Sequence, residues 1–245
     1  LVAGLTTGFH AAVGGQTVNA KSADRARTNS TSFDVGLQFN YAQDVMAGPF
    51  AYGLGRIGAE DNQMKRQFDV AGISGTSKSH WTAWNGSLTL GGGYHFALSD
   101  TFSLGPVAAL DYTATTHRTI KESGVGTAPL QIKGRYADSL QSTLGVEALY
   151  QQPLQGSQAL SATLRLGWLH ELLSNKVTQR AQFVGYNASA FDSESTLAGR
   201  DTLAAQAGVQ YQLNQAVSLG AGVSSELLRQ GSHSLEGNVA VTWRF

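Results

Sequence analysis

The chain has 245 residues, 17 basic and 17 acidic side chains, no cysteine and a mean hydropathy of -0.14. Zero formal charge argues against recruitment of nucleic acid by a basic field, and the lack of cysteine excludes a disulfide framework and thiolate metal sites. No run approaches the roughly 18 to 20 apolar residues of a spanning helix, and charged residues make up 14%, so any membrane crossing falls to β-strands within a single domain, residues 1–245.

Ten segments of strand character follow one another. The first, residues 1–14, begins in mid-pattern with no charged n-region or cleavage site, so no signal peptide is read at Leu1 and further chain is expected upstream. In the second, Phe33, Val35, Leu37, Phe39 and Tyr41 are apolar while Asp34, Gly36, Gln38 and Asn40 are small or polar. A period of two with one greasy and one polar face is the pattern of a strand between lipid and a wet lumen. In the third, 49–58, Phe50, Tyr52 and Leu54 set an apolar face on which Arg56 also falls. A β-bulge or a position at headgroup level would accommodate that charge. The fourth opposes Leu88, Leu90, Tyr94 and Phe96 to Asn85, Ser87, Thr89 and His95. Its Gly91-Gly92-Gly93 is followed by no Gly-Lys-Ser/Thr, so these are strand glycines rather than a phosphate loop.

The fifth segment covers 101–114. In the sixth, Leu140, Leu144, Val146 and Tyr150 oppose Gln141, Thr143 and Glu147. Segments 159–172, 202–212, 216–226 and 235–245 complete the set. In the last, Val239, Val241, Trp243 and Phe245 would face lipid, and Asn238, Ala240, Thr242 and Arg244 the lumen.

Connections alternate in length. Short ones near 43–48, 98–101, 152–157 and 213–215 carry turn residues such as Ser99-Asp100 and Gln155-Gly156-Ser157. Long ones span about 15–31, 60–80, 114–137 and 173–201, with a shorter one near 227–234, and the four longest hold 21 of the 34 charged residues. Short turns at one end and long loops at the other are the pattern of an all-β, transmembrane, antiparallel up-and-down barrel, with turns periplasmic and loops extracellular. The lumen-facing set is expected to be Asp34, Gln38, Asn40, Asn85, Asp111, Gln141, Glu147, Arg165, Glu171 and Arg244. Phe33, Tyr41, Tyr52, Trp84, Tyr94, Phe96, Tyr112, Tyr150, Trp168 and Tyr211 are expected in two aromatic girdles. A turn at 152–157 would set Glu147 beside Arg165 as a lumenal ion pair. A soluble sandwich would carry Lys and Glu on its second face, where this chain has mostly Gly, Ser, Thr, Gln and Asn.

The motifs Asp138-Ser139-Leu140-Gln141-Ser142-Thr143-Leu144-Gly145 and Trp168-Leu169-His170-Glu171-Leu172 carry a family resemblance. Ser32 to Leu37, Gly105 to Tyr112 and the terminal Trp243-Arg244-Phe245 add to it. The chain resembles the C-terminal translocator domain of autotransporters, the type V secretion proteins of Gram-negative bacteria. The resemblance implies an outer-membrane barrel that anchors and exports an N-terminal passenger, with a C-terminal signal read by the barrel-assembly machinery. Asn238, Trp243 and Phe245 fit that signal, and Ala240 stands where the family prefers Gly. Family barrels have twelve strands around a pore helix, against ten segments and no helix here, so the first hairpin, the helix and the passenger are expected upstream of Leu1. The implied partners are outer-membrane lipid and lipopolysaccharide, the assembly machinery and the chain's own passenger. A monomer without cofactor, metal or catalytic residues of its own is expected.

The alternative is a ten-stranded barrel enzyme resembling omptin proteases, or an adhesin or porin-type barrel. Its rim candidates would be His10, Asp111, His117, His170, Glu171 and His233. No motif supports them, and strand alternation sends His170 and Glu171 to opposite faces.

Overall fold

The computed structural model describes residues 4–21, 25–70, 73–124, 129–185, 189–196, 199–227 and 234–243. Ten long strands form one antiparallel sheet. They are β1 (Leu5–Lys21), β2 (Arg25–Ala42), β3 (Gly48–Val70), β4 (Ile73–Ala97), β5 (Phe102–His117), β8 (Arg135–Pro153), β9 (Ala159–Glu171), β12 (Asp201–Gln212), β13 (Val217–Leu227) and β14 (Ser234–Trp243). Each pairs with the strands before and after it in that order, the meander expected of an up-and-down barrel. Four short strands, β6 (Ile120–Lys121), β7 (Leu130–Ile132), β10 (Lys176–Phe183) and β11 (Phe191–Thr196), form a second sheet in the order β11-β10-β7-β6.

Residues directly opposite one another across a strand pair project to the same side, so the registers sort every position to one of two faces. One face carries Phe9, Val13, Phe33, Leu37, Ile57, Trp84, Leu88, Phe96, Val239 and Val241, all exposed and several at two thirds or more. Among the described residues only Ala83, Val107, Ile120 and Ala181 are buried hydrophobic side chains. A soluble domain of this size would be stabilised by a buried apolar core, whereas here the large apolar side chains cover the outside, which makes lipid their partner.

The other face is polar and concave. β3 and β9 lie four strand spacings apart, about 19 Å along a flat sheet, yet Arg165 Nη1 on β9 donates to Tyr52 Oη on β3 at 3.1 Å. The sheet must curl with this face inward for the two side chains to meet. It does not close among the described residues, where β1 and β14 pair on one side only.

Two features differ from the sequence reading. The segments taken as long loops at 15–31 and 60–80 are largely strand, since β1 pairs with β2 through Lys21↔Arg25 and β3 with β4 through Val70↔Ile73. Alternation reports only the stretch where one face meets lipid. Beyond the hydrocarbon both faces are polar, so the period-two signal fades while the backbone ladder continues. The segments 114–137 and 173–201 hold the short strands of the second sheet, which docks on the β3–β4 hairpin. Lys78 and Ser123 exchange two backbone hydrogen bonds of 2.8 Å, and Arg66 donates twice to the buried Glu122, at 2.9 and 2.7 Å.

The other correction concerns β3. Tyr52 is directly opposite Asn40, Leu54 opposite Gln38, and Arg56 opposite Ser87, to which it donates at 3.2 Å. Phe50, Tyr52, Leu54 and Arg56 therefore face the lumen, and the register runs through Arg56 without a bulge. Tyr52 is not a girdle residue. The lipid face of β3 is instead Ala51, Gly53, Gly55 and Ile57. A Cβ on Gly53 would meet the Phe39 ring at 2.2 Å, so the neighbouring strand's aromatic supplies the apolar cover there.

Candidate functional site in the lumen

The polar face converges on one buried carboxylate. The β8–β9 turn is closed by Leu154 N–H to Gln158 O at 2.9 Å, and the ladder above it sets Glu147 directly opposite Arg165. Arg165 donates through Nε at 2.7 Å and through Nη2 to Glu147 Oε2, while its Nη1 reaches Tyr52. The guanidinium carbon also lies 5.3 Å from the centre of the Tyr52 ring, within cation–π range. The other carboxylate oxygen, Oε1, is 3.0 Å from His95 Nε2. A carboxylate only accepts, so His95 is the donor. The imidazole in turn stacks on Phe50 with ring centres 4.2 Å apart.

His95 reaches Glu147 across β5, which lies between their strands. The intervening residue is Gly105, opposite Glu147, and a Cβ there would come within 1.6 Å of Tyr94 O and 3.2 Å of His95 Cα. Only glycine lets β5 approach the β4 backbone this closely beside His95. The side chains of His95 and Glu147 are about 5% and 6% exposed, Arg165 25%. A cavity of about 200 Å³ opens beside the network, lined by Tyr52, Thr89, Asp111, Arg165 and Gln206 among others.

Further along the strands, Thr89, Asp111, Gln141 and Glu171 lie directly opposite one another on four successive strands of the polar face. Thr89 donates to Asp111 at 2.7 Å. Glu171 accepts from Ser139 Oγ at 2.5 Å and from the N–H groups of Leu140 and Leu173 at 3.1 Å. The two motifs that carried the resemblance thus meet as neighbours on β8 and β9. Asp34, Gln38 and Asn40 share the polar face of β2, where Asp34 takes His10 Nε2 at 3.0 Å, and Asn85 lies opposite Gly58 on β4. On the outer face, Phe33, Trp84 and Tyr136 fall on one row across β2 to β8 with Ala59 and Thr116 between them. Tyr41, Tyr94, Phe96, Tyr112, Tyr150, Trp168 and Tyr211 lie on that same face.

The rim candidates for an enzyme are scattered. His10 pairs with Asp34, Asp111 with Thr89, and His117 faces the Arg118 carbonyl. His170 sits outside with Asp201 at 2.8 Å and Trp168, while Glu171 points inward. His233, Arg244 and Phe245 lie outside the described residues. Among the described residues no group of three or more His, Asp or Glu is placed to hold a metal ion. The sequence reading missed His95 as a partner of Glu147, because the contact skips a strand and its only trace is a glycine.

A family model, Autotransporter beta-domain, matches residues 2–224. The chain belongs to the autotransporter β-domain family. An extracellular serine protease of Serratia marcescens is 31% identical over 169 residues, which are 69% of this chain and 16% of that protein. The chain thus spans about a sixth of the length of the curated relative it matches. The translocator domain of the autotransporter NalP from Neisseria meningitidis superposes with a TM-score of 0.61 at 20% identity, covering 98% of this chain and 76% of that one. The transport unit of the autotransporter AIDA-I from Escherichia coli gives a TM-score of 0.43 at 11% identity, covering 98% and 83%. For the family, the curled ten-stranded sheet is the wall of an outer-membrane translocator barrel.

Proposed function

We propose that this domain anchors its protein in the outer membrane of a Gram-negative bacterium and mediates export of a passenger attached on its N-terminal side. The observation that carries the reading is the pairing of a broad apolar band on the outer face with a polar, concave inner face in a member of the autotransporter β-domain family. In this reading the short turns and the C-terminus are periplasmic and the second sheet is extracellular. The barrel works as a monomer, contacting outer-membrane lipid and lipopolysaccharide, and the assembly machinery reads Asn238, Ala240, Trp243 and Phe245 at its end. The passenger supplies whatever enzymatic activity the whole protein has.

Within that function, the Glu147 network braces the wall. His95 of β4 and Arg165 of β9 meet on one carboxylate of β8, and Arg165 also donates to Tyr52 of β3, so the network ties non-adjacent strands together across the curl. The test uses full-length protein and measures how much passenger a protease can remove from intact cells. Deleting residues 5–243 is expected to retain the passenger in the periplasm, and passenger that still reaches the surface overturns the translocator reading. Glu147→Gln with Arg165→Gln is expected to lower barrel stability with export preserved. Export lost in a barrel that still folds would assign the pair to passenger movement instead.

A further inference from the structure

The outward face of the barrel changes character above the apolar band. Arg27 on β2, Lys65 on β3 and Lys78 on β4 are directly opposite one another, Arg27↔Lys65↔Lys78, on three adjacent strands. All three are exposed and share the face of Phe33, Ile57 and Trp84. Like charges set directly opposite destabilise a sheet, and here two such pairs share one row. Among the described residues none of the three makes an ion pair, and their one polar side-chain contact is Arg27 Nε donating to Asn29 Oδ1 at 3.3 Å. The adjoining groove, of about 820 Å³, adds Lys121 and His80, with four Lys or Arg side chains and no carboxylate in its lining. Among the described side chains of this face the nearest acid, Asp61, is engaged by His80 at 2.5 Å.

The row lies six residues beyond the girdle row of Phe33, Ala59 and Trp84 on all three strands. At about 3.3 Å per residue and a tilt near 40°, that places it about 15 Å above the girdle. This is past the hydrocarbon and among lipid headgroups. A cluster of cations that face outward at that depth, with no carboxylate lining their groove among the described residues, matches an anionic headgroup carrying more than one phosphate.

We propose that Arg27, Lys65, Lys78 and Lys121 form a binding site for the phosphorylated sugar headgroup of lipopolysaccharide. The site clamps the β2–β4 extension against the outer leaflet. The inference rests on the orientation proposed above, with the long hairpins outside the cell.

The test uses full-length protein purified from outer membranes in detergent, with binding of purified lipopolysaccharide read by calorimetry. Each cation near an anionic surface contributes enough that removing three, as R27Q/K65Q/K78Q, is expected to weaken binding about a hundred-fold. The charge-preserving R27K/K65R/K78R is expected to bind as wild type, and chemically dephosphorylated lipopolysaccharide as poorly as the neutral variant. Equal affinity of wild type and neutral variant overturns the proposal. Competition by inorganic phosphate as effective as that by intact lipopolysaccharide would make this a free-anion site and overturn the lipid assignment. Orientation is read separately by placing Gln67→Cys in an otherwise cysteine-free background and labelling intact cells with an impermeant maleimide. Labelling together with unchanged lipopolysaccharide affinity refutes the site alone, and no labelling refutes the orientation with it.

Discussion

Glu147 is the centre of the lumenal network, and its removal gives the sharpest energetic test. Its Oε2 takes two donors of Arg165 and its Oε1 the imidazole of His95, with 6% of the side chain exposed. Glu147→Ala leaves a guanidinium whose remaining partner in the network is the Tyr52 hydroxyl. Breaking a buried pair costs about 3 to 5 kcal/mol, and Arg165, a quarter exposed, sits at the lower end, so about 3 kcal/mol is expected. Arg165→Ala instead strands the better-buried carboxylate with His95 as its donor and is expected to cost about 4 kcal/mol. The double variant strands neither charge, and should lose about 5 kcal/mol rather than the sum of the singles, a coupling of about 2 kcal/mol. Urea unfolding in detergent micelles, followed by the fluorescence of the four tryptophans, measures all three. A coupling indistinguishable from zero would refute the view that this contact ties the wall together.

Gly105→Ala is expected to destabilise the barrel by about 3 kcal/mol or stop it folding, since its Cβ would press on Tyr94 O at 1.6 Å and on the His95 backbone; a heat-modifiable gel shift reports the folded fraction, and wild-type folding would contradict the packing. Ile57 and Arg56 should respond oppositely to exchange. Ile57→Arg, on the lipid face about 5 Å below the girdle row, is expected to cost about 1 to 2 kcal/mol, between the interfacial and mid-depth costs, whereas Arg56→Ile should cost under about 1 kcal/mol, with both measured by the same urea titration. Glu122→Gln weakens the hold of Arg66 on the second sheet, and limited proteolysis is expected to cut at Lys121 or Lys133 faster while the barrel stays intact; unchanged cleavage would show that the Lys78–Ser123 bridge suffices.

The strand order and most facings were legible because lipid imposes alternation directly on sequence. Phe33 to Tyr41, Leu88 to Phe96 and Leu140 to Tyr150 show it without exception at their tested positions. β3 misled for a physical reason: its lipid face is small residues covered by Phe39, so the bulky side chains Phe50, Tyr52 and Leu54 were free to turn inward. The Glu147–Arg165 register could be read because a short turn fixes it, while His95 and Tyr52 joined through the curl of the sheet, which no local pattern encodes. The second sheet was illegible for a related reason. Its strands come from two connections far apart in sequence, and their pairing depends on where the barrel places them.

The most direct measurement of which face meets lipid is fluorescence from single environment-sensitive labels placed along β3 and β4 in liposomes containing a lipid-phase quencher. Labels at Ile57, Leu88 and Leu90 are expected to be quenched from the membrane, and labels at Tyr52, Leu54 and Ser87 to be quenched only by a water-soluble agent. Uniform quenching from one phase along both strands would contradict a wall with lipid on one side and a wet lumen on the other.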